Sequence, residues 1–253
     1  MDGVLAFLHH LAAPSARDGL TDQELLRRFS RERDENAFVT LLQRHGPLVF
    51  RVCRGVLPGS HDAEDVFQAV FLILARKAGS LGQVRSLEGW LHTVTVRLAR
   101  RLRARQRREP HEPVSDEPHA EPADLTWREA QAVFHEEIER LPSSYRQPIL
   151  LCYFDGLTRD EAAGRLGWTA GVLKGRLERA RRLLHRRLQR RGISLAILAT
   201  VVAPPFTRAA VPALLEATTA RAGLTVALGT APLRSVVSAR VAHLIDLGNR
   251  GGG

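Results

Sequence analysis

One stretch of the sequence, residues 157–191, limits the fold more than any other. Thr158 and Glu161 have the spacing of a capping box, in which each side chain accepts from the backbone of the other at the start of a helix. Gly167 follows the last apolar residue of this short segment, where a glycine commonly ends a helix. Thr169 is then placed to cap a second helix. The pattern predicts two helices joined by a tight turn.

The second helix of this pair is predicted to carry both an apolar stripe and a strongly basic surface. Its stripe consists of Val172, Leu173, Leu177, Ala180, Leu183, Leu184 and Leu188. Lysine and arginine occupy most of the remaining positions. This combination is typical of a helix-turn-helix, whose second helix enters the DNA major groove. A helical hairpin with a solvated cationic face is the alternative.

The charge of the whole chain points in the same direction. It contains 37 Lys and Arg against 27 Asp and Glu, a formal net charge of +10 at pH 7. Such an excess predicts a polyanionic partner, either nucleic acid or an anionic membrane. The arginines are concentrated over residues 97–108 and 174–191. Two separate basic helices suit a protein that contacts a duplex at two places.

Cysteine usage and apolar runs predict a cytoplasmic protein without a membrane span. Cys53 and Cys152 are the only cysteines, and each lies beside apolar residues, which favours reduced thiols over a disulfide. Residues 4–13 lack the basic flank and the length of a signal peptide. The longest apolar run, residues 193–203, is about half as long as a membrane-spanning helix must be.

The sequence contains no motif that predicts catalysis. It has no HExxH, no CxxC and no glycine-rich phosphate loop, and its histidines are scattered. We therefore expect no enzymatic activity, no small-molecule substrate, no cofactor and no metal. Metal sites at His9 and His10, or at His111 and His119, are minor alternatives.

Periodic apolar residues predict a helical domain that begins at Thr21 and ends at residue 108. One helix is expected to end before Pro47 and the next to begin there, because proline fits the first turn of a helix. The following helix, residues 62–77, is acidic at its amino end and basic at its carboxyl end, as the helix dipole favours. Its middle is apolar nearly all round. Such a helix is either buried on several sides or offers one face to a partner.

Residues 86–108 predict an amphipathic helix capped by Ser86, with a polar face that becomes almost entirely arginine. Trp90 can lie in the core or stack on an exposed base, and both interpretations remain open. Residues 109–126 are acidic and contain four prolines, which predicts an extended linker. Helical patterns resume at Trp127. No long alternating run is present, so the predicted fold class is all-α, with two helical domains.

Three blocks in this order resemble bacterial RNA polymerase sigma factors of the extracytoplasmic-function (ECF) group of the sigma-70 family: DAEDVFQAVFLILARK, SLEGWLHTVTVRLARRLRAR and LTRDEAAGRLGWTAGVLKGRLERARRLL. Members of that group carry sigma regions 2 and 4. The resemblance implies a promoter-specificity factor, and a stand-alone helix-turn-helix regulator is the alternative. The implied domains are a leader (1–20), region 2 (21–108), the acidic linker (109–126), region 4 (127–191) and a carboxyl-terminal extension (192–253).

The resemblance also implies partners and individual residue roles. The partners are core RNA polymerase, through its β′ and β subunits, promoter DNA and an anti-sigma factor. The residues expected to face the polymerase are Asp62, Glu64, Asp65, Gln68 and Phe71. Those expected at the −10 element are Trp90, Arg97, Arg100, Arg101, Arg103 and Arg105, with the loop 82–88 receiving a flipped base. Those expected at the −35 element are Thr169, Val172, Lys174, Gly175, Arg176 and Arg179. At Val172 and Gly175 the chain departs from the small hydroxyl residues common in the family.

The extension has helical patterns of its own. They begin at Val211 and continue over residues 217–228 and 235–247, and residues 248–253 are expected to be a disordered end. The extension resembles that of planctomycete-type sigma factors, where it can lead into a membrane segment and a sensor domain. We expect an autoregulatory helical module that folds back on one of the DNA-binding domains. A poorly ordered remnant is the alternative.

Overall fold

Within the described residues the chain forms helices and no other regular structure, which confirms the predicted all-α class. The computed structural model describes residues 19–84, 86–106, 122–154, 156–193 and 211–249. The helices are α1 (Asp22–Glu32), α2 (Glu35–Val56), α3 (Ser60–Lys77), a 3₁₀ helix (Ala78–Gln83), α4 (Leu87–Gln106), α5 (Pro122–Glu139), α6 (Ser143–Ile149), a π-helical turn (Leu150–Phe154), α7 (Arg159–Leu166), α8 (Ala170–Arg190), α9 (Ala213–Leu228), α10 (Leu233–Val236) and α11 (Ala239–Asn249). The leader over residues 1–18, the linker up to residue 121, both histidine pairs considered as metal sites and most of the apolar run after residue 193 lie outside the described residues.

The predicted break at Pro47 is wrong, because α2 runs through it without interruption. A proline inside a helix removes one backbone hydrogen bond and costs about 3 kcal/mol relative to alanine. Here the residues on both sides of it belong to one apolar face: Leu41, Leu42, Leu48 and Val49 are all fully buried. Their burial offsets the cost of the proline, so the helix continues.

Helix α3 is the centre of the core and is buried on several sides. It packs against α2, α4, α9 and α11. Phe67 is fully buried, with ring centroids 4.9 Å from Phe71 and 5.9 Å from Phe50. These separations are those of favourable aromatic pairs. The apolar middle of α3 is therefore explained by neighbours within this chain.

The first two domains are in direct contact through α5. A Cβ at Gly55 would lie 2.9 Å from His135 Nε2, so the glycine allows α5 to approach α2 closely. His92 of α4 and His135 of α5 are both buried, with Nε2 and Nδ1 3.4 Å apart. Burial lowers the pKa of His135 to about 3, with a further contribution from Arg51. Helix α5 begins at Pro122, earlier than predicted, because proline at the first position gives up only a donor that has no partner there.

The helix-turn-helix forms as its sequence predicts. Thr158 accepts a hydrogen bond from the backbone of Glu161, whose carboxylate accepts one from the Thr158 backbone, which completes the capping box. Gly167 ends α7 in the left-handed conformation, at φ 65°. The helical segment before this pair is not a regular α-helix throughout, since its second half, Leu150–Phe154, is π-helical. Pro148 lies inside α6 just before this change and lacks the N–H that a regular turn needs.

The extension is folded against the first domain. Buried residues of α9 and α11 join the main core, among them Leu215, Val241 and Ile245. Helix α11 continues to Asn249, so the prediction of a disordered end from residue 248 is wrong at Gly248, which packs on Ile73. No helix among the described residues has both the length and the apolar character needed to cross a membrane.

Candidate nucleic-acid interface

The exposed face of α8 is the first candidate surface for DNA. Thr169 caps the helix by accepting a hydrogen bond from the Val172 amide, with Oγ1 and N 3.3 Å apart. Leu173 and Leu177 are buried, whereas Lys174 and Arg179 are exposed on the opposite side. Val172 was predicted as part of the apolar stripe, but 43 % of its surface is exposed. Its side chain lies beside the cations and is available to an outside partner.

Arg176 and Gly175 are two further positions on α8, and they differ in what surrounds them. The guanidinium carbon of Arg176 lies 4.1 Å from the centroid of the Trp168 ring, a cation–π geometry that holds the arginine at the amino end of the helix. This contact was not predicted from the sequence. A Cβ at Gly175 would meet no atom within 4 Å.

We predict that Gly175→Ala stabilises the second domain. Alanine favours a helix interior by about 1 kcal/mol over glycine, and the open space at Gly175 means that the new methyl group meets no steric conflict. The expected result is a rise of up to about 1 kcal/mol in the free energy of unfolding, measured by denaturant titration. Gly167→Ala is the matched control, since its positive φ of 65° should make the same change destabilising. Equal effects at both positions would contradict this account.

The arginines of α4, the second candidate surface, already have acidic partners inside the chain. Three of these partners are glutamates of α5. The N–O distances are 3.2 Å for Arg97 with Glu139, 3.2 Å for Arg100 with Glu136 and 3.9 Å for Arg103 with Glu129. Arg101 donates to the carbonyl oxygen of Leu247 at the end of α11, and Arg105 lies exposed one turn further along. The structure thus brings together all five predicted arginines, and it places α5 against Arg97, Arg100 and Arg103 and the extension against Arg101.

The start of α4 is also covered in this conformation. Trp90 is half-buried and packs against the core. Glu88 was expected in a loop that receives a flipped base, but it lies in the first turn of α4. It is buried and forms an ion pair with Arg165 of α7, with Oε1 and Nη2 2.5 Å apart. The same guanidinium lies 3.0 Å from a carboxylate oxygen of Asp22. One arginine of the helix-turn-helix therefore bridges two carboxylates of the first domain.

The cluster around Arg165 is an ion-pair network. Asp22, Glu88 and His45 lie close enough together to suggest a cation site. However, Arg44 Nη1 lies 2.6 Å from Asp22 Oδ1, and Arg165 contacts both carboxylates. Burial alone would raise the pKa of Asp22, but His45 and the two arginines hold it well below its usual range. The two guanidinium groups supply the positive charge that a metal would otherwise provide.

The acidic amino end of α3 is the third candidate surface. Glu64, Asp65 and Gln68 are partly exposed on it. Asp62 is nearly buried, because Arg240 of the extension lies 2.6 Å from one of its carboxylate oxygens and Gln106 donates to the other at 2.7 Å. Burial raises the pKa of Asp65, against the opposing effect of Arg240.

Phe71 was predicted on the same surface but is fully buried beside Phe67. Placing it on the surface is wrong for this conformation, because the helix is covered on more sides than its sequence reveals. A contact between Phe71 and another protein requires one of the helices packed on α3 to move.

Two family models match the chain. The model described as Sigma-70 region 2 matches residues 41–109, and the model described as Sigma-70, region 4 matches residues 131–184. The first match contains α3 and α4, and the second contains the second half of α5 and continues into α8. The three candidate surfaces therefore all lie within the matched segments.

Curated relatives extend the similarity across both domains. The ECF RNA polymerase sigma-E factor of Escherichia coli is 30 % identical over 185 residues, which are 67 % of this chain and 95 % of that relative. The RNA polymerase sigma-H factor of Pseudomonas aeruginosa is 28 % identical over 182 residues, 66 % of this chain and 94 % of that relative. The ECF RNA polymerase sigma factor SigE of Mycolicibacterium smegmatis is 27 % identical over 153 residues, 57 % of this chain and only 58 % of that relative. With both regions present in order, the chain belongs to the ECF group of the sigma-70 family and is a promoter-recognition factor.

Proposed function

We propose that the chain binds core RNA polymerase through the acidic end of α3, holds the −10 element with the arginines of α4 and recognises the −35 element with α8. It acts in the cytoplasm by binding, without catalysis of its own. The observation that carries the proposal is the presence of all three surfaces on one chain, within the segments that match regions 2 and 4. A stand-alone regulator has no need of an acidic polymerase-binding face.

The chemistry of α8 suits a groove of DNA. Lys174, Arg176 and Arg179 can donate to guanine edges or to phosphates, which accept most protein–DNA hydrogen bonds. Val172 offers an apolar surface of the kind that contacts the thymine methyl group. Both chemistries lie on the same exposed face of one helix.

The polymerase contact is tested by Glu64→Arg in the full-length chain. We expect core polymerase to bind the variant at least about tenfold more weakly, equivalent to about 1.4 kcal/mol, because a positive charge replaces a partly exposed carboxylate on α3. Fluorescence titration of labelled protein with core polymerase measures the affinity. Glu35→Arg, the same charge reversal at the exposed start of α2, should bind normally. Equal affinities of both variants would rule out the acidic end of α3 as the docking face.

The DNA contact is tested in the reconstituted holoenzyme. Lys174→Ala and Arg179→Ala should each weaken promoter binding, and each lost phosphate contact should reduce the slope of log K against log salt by about 0.9. Arg31→Ala, at an exposed position of α1, serves as control. Specific, tight duplex binding by the chain without polymerase would instead favour a stand-alone regulator.

A further inference from the structure

The extension covers the helix to which the polymerase-docking role is assigned. Helices α9 and α11 both pack directly on α3. Two glycines of the extension lie very close to side chains of the first domain. A Cβ at Gly248 would lie 2.4 Å from Ile73 Cδ1, and a Cβ at Gly223 would lie 2.4 Å from Phe38 Cε1. Because only glycine permits such separations, the extension fits the surface of the first domain closely.

A polar contact of the extension falls on the acidic end of α3. Arg240 Nη2 lies 2.6 Å from Asp62 Oδ1, and Arg240 Nε lies 3.6 Å from Asp65 Oδ2. The carboxylate of Asp62 is nearly buried by this contact, whereas 56 % of the Arg240 side chain remains exposed. Opposite charges therefore meet where the docking of polymerase is proposed.

We infer that residues 211–249 form an intramolecular lid that competes with core RNA polymerase for α3. This inference rests on the proposed function of α3 as the docking helix. The lid occupies two of the carboxylates expected to face the polymerase, and its apolar residues cover the helix beside them. Polymerase must displace α9 and α11 before it reaches the same surface.

The contacts are of a kind that a larger partner can displace. Arg240 is more than half exposed, so solvent screens its attraction to Asp62 and Asp65. The last turn of α11 is also tied to the first domain by Arg101, which donates to the Leu247 carbonyl. Removal of the lid therefore frees an arginine of α4 as well as the acidic end of α3. Docking of polymerase and release of a −10-binding arginine are linked in one step.

Hydrogen exchange of the full-length chain, with and without core polymerase, tests the lid directly. We expect amides of α9 and α11 to lose protection in the complex, while amides of α3 keep or gain it. If α9 and α11 stay as protected in the complex as in the free chain, the lid does not compete with polymerase and the inference is overturned.

The affinity for core polymerase gives an independent measurement. Arg240→Glu replaces attraction to Asp62 and Asp65 by repulsion, and we expect the variant to bind core polymerase at least about fivefold more tightly, because the lid opens more easily. Arg234→Glu is the matched control, since it makes the same charge change at an exposed position of α10, and it should bind like the wild-type chain. Gly248→Leu opens the lid without changing charge and should also bind more tightly.

The two proposals fail in distinguishable ways. If Glu64→Arg does not weaken binding, the docking role of α3 fails. If Glu64→Arg weakens binding but α9 and α11 remain protected in the complex, only the lid fails.

Discussion

Phe67→Ala is expected to lower the free energy of unfolding by about 3–5 kcal/mol, the range for removing a large aromatic side chain from a packed core. Phe67 is fully buried on α3 and contacts the rings of Phe50 and Phe71. Its ring also lies 3.7 Å from the position that a Cβ at Gly46 of α2 would occupy. The two helices are therefore already close together, and α2 has little room to move into the cavity that the truncation leaves. Denaturant titration of the full-length chain measures the loss.

The control for this substitution is Leu214→Ala. Leu214 is a large apolar residue with 72 % of its surface exposed at the start of α9, so its truncation should change stability by no more than about 0.5 kcal/mol. A loss below about 1 kcal/mol for Phe67→Ala would contradict the central position that we assign to α3.

Acidification is expected to destabilise the contact between the two sigma domains. His135 is buried against His92, and burial lowers its pKa to about 3. A histidine in an unfolded chain has a pKa near 6.5. Between about pH 6.5 and 3, His135 is therefore protonated in the unfolded chain and neutral in the folded chain. The contribution of neutral His135 to the free energy of unfolding is therefore fully present above about pH 6.5 and is lost progressively as the pH falls. At pH 5 the expected loss from His135 alone is about 2 kcal/mol relative to pH 7.5.

His135→Gln separates this effect from other titrations. The variant cannot bind the proton, so the difference in unfolding free energy between pH 7.5 and pH 5 should shrink by about 2 kcal/mol. His243→Gln, at an exposed position of α11, should leave that difference unchanged. Retention of the full wild-type difference by His135→Gln would mean that the buried pair does not set the pH response.

Local signals in the sequence were sufficient for the elements that local interactions decide. The capping box of Thr158 and Glu161, the left-handed Gly167 and the cap at Thr169 follow from side chains within a few residues of each other. Such contacts do not depend on the rest of the fold. The helix-turn-helix and its solvent-facing cations were therefore predictable, and so was the amphipathic character of α4.

Features that depend on long-range packing were not predictable in the same way. Pro47 has a valid local role at a helix start, and only the shared apolar surface of α2 overrides it. The buried state of Phe71 depends on helices that pack on α3 from distant parts of the chain. Arg240 and Asp62 are separated by 178 residues, and no pattern in the sequence connects them. The extension was predicted to fold back on one of the DNA-binding domains, but the surface that it covers was not predicted.

The glutamates of α5 also determine how DNA binding should respond to salt. Phosphate contacts release counterions from DNA, and each contact makes the affinity fall more steeply as salt rises. To bind phosphates as proposed, Arg97, Arg100 and Arg103 must first leave Glu139, Glu136 and Glu129, and that separation becomes easier as salt rises. The two tendencies oppose each other within a single binding event. The slope of log affinity against log salt therefore reflects the number of phosphate contacts formed minus the number of internal ion pairs broken. We expect this slope to be shallower than the number of arginines alone would predict.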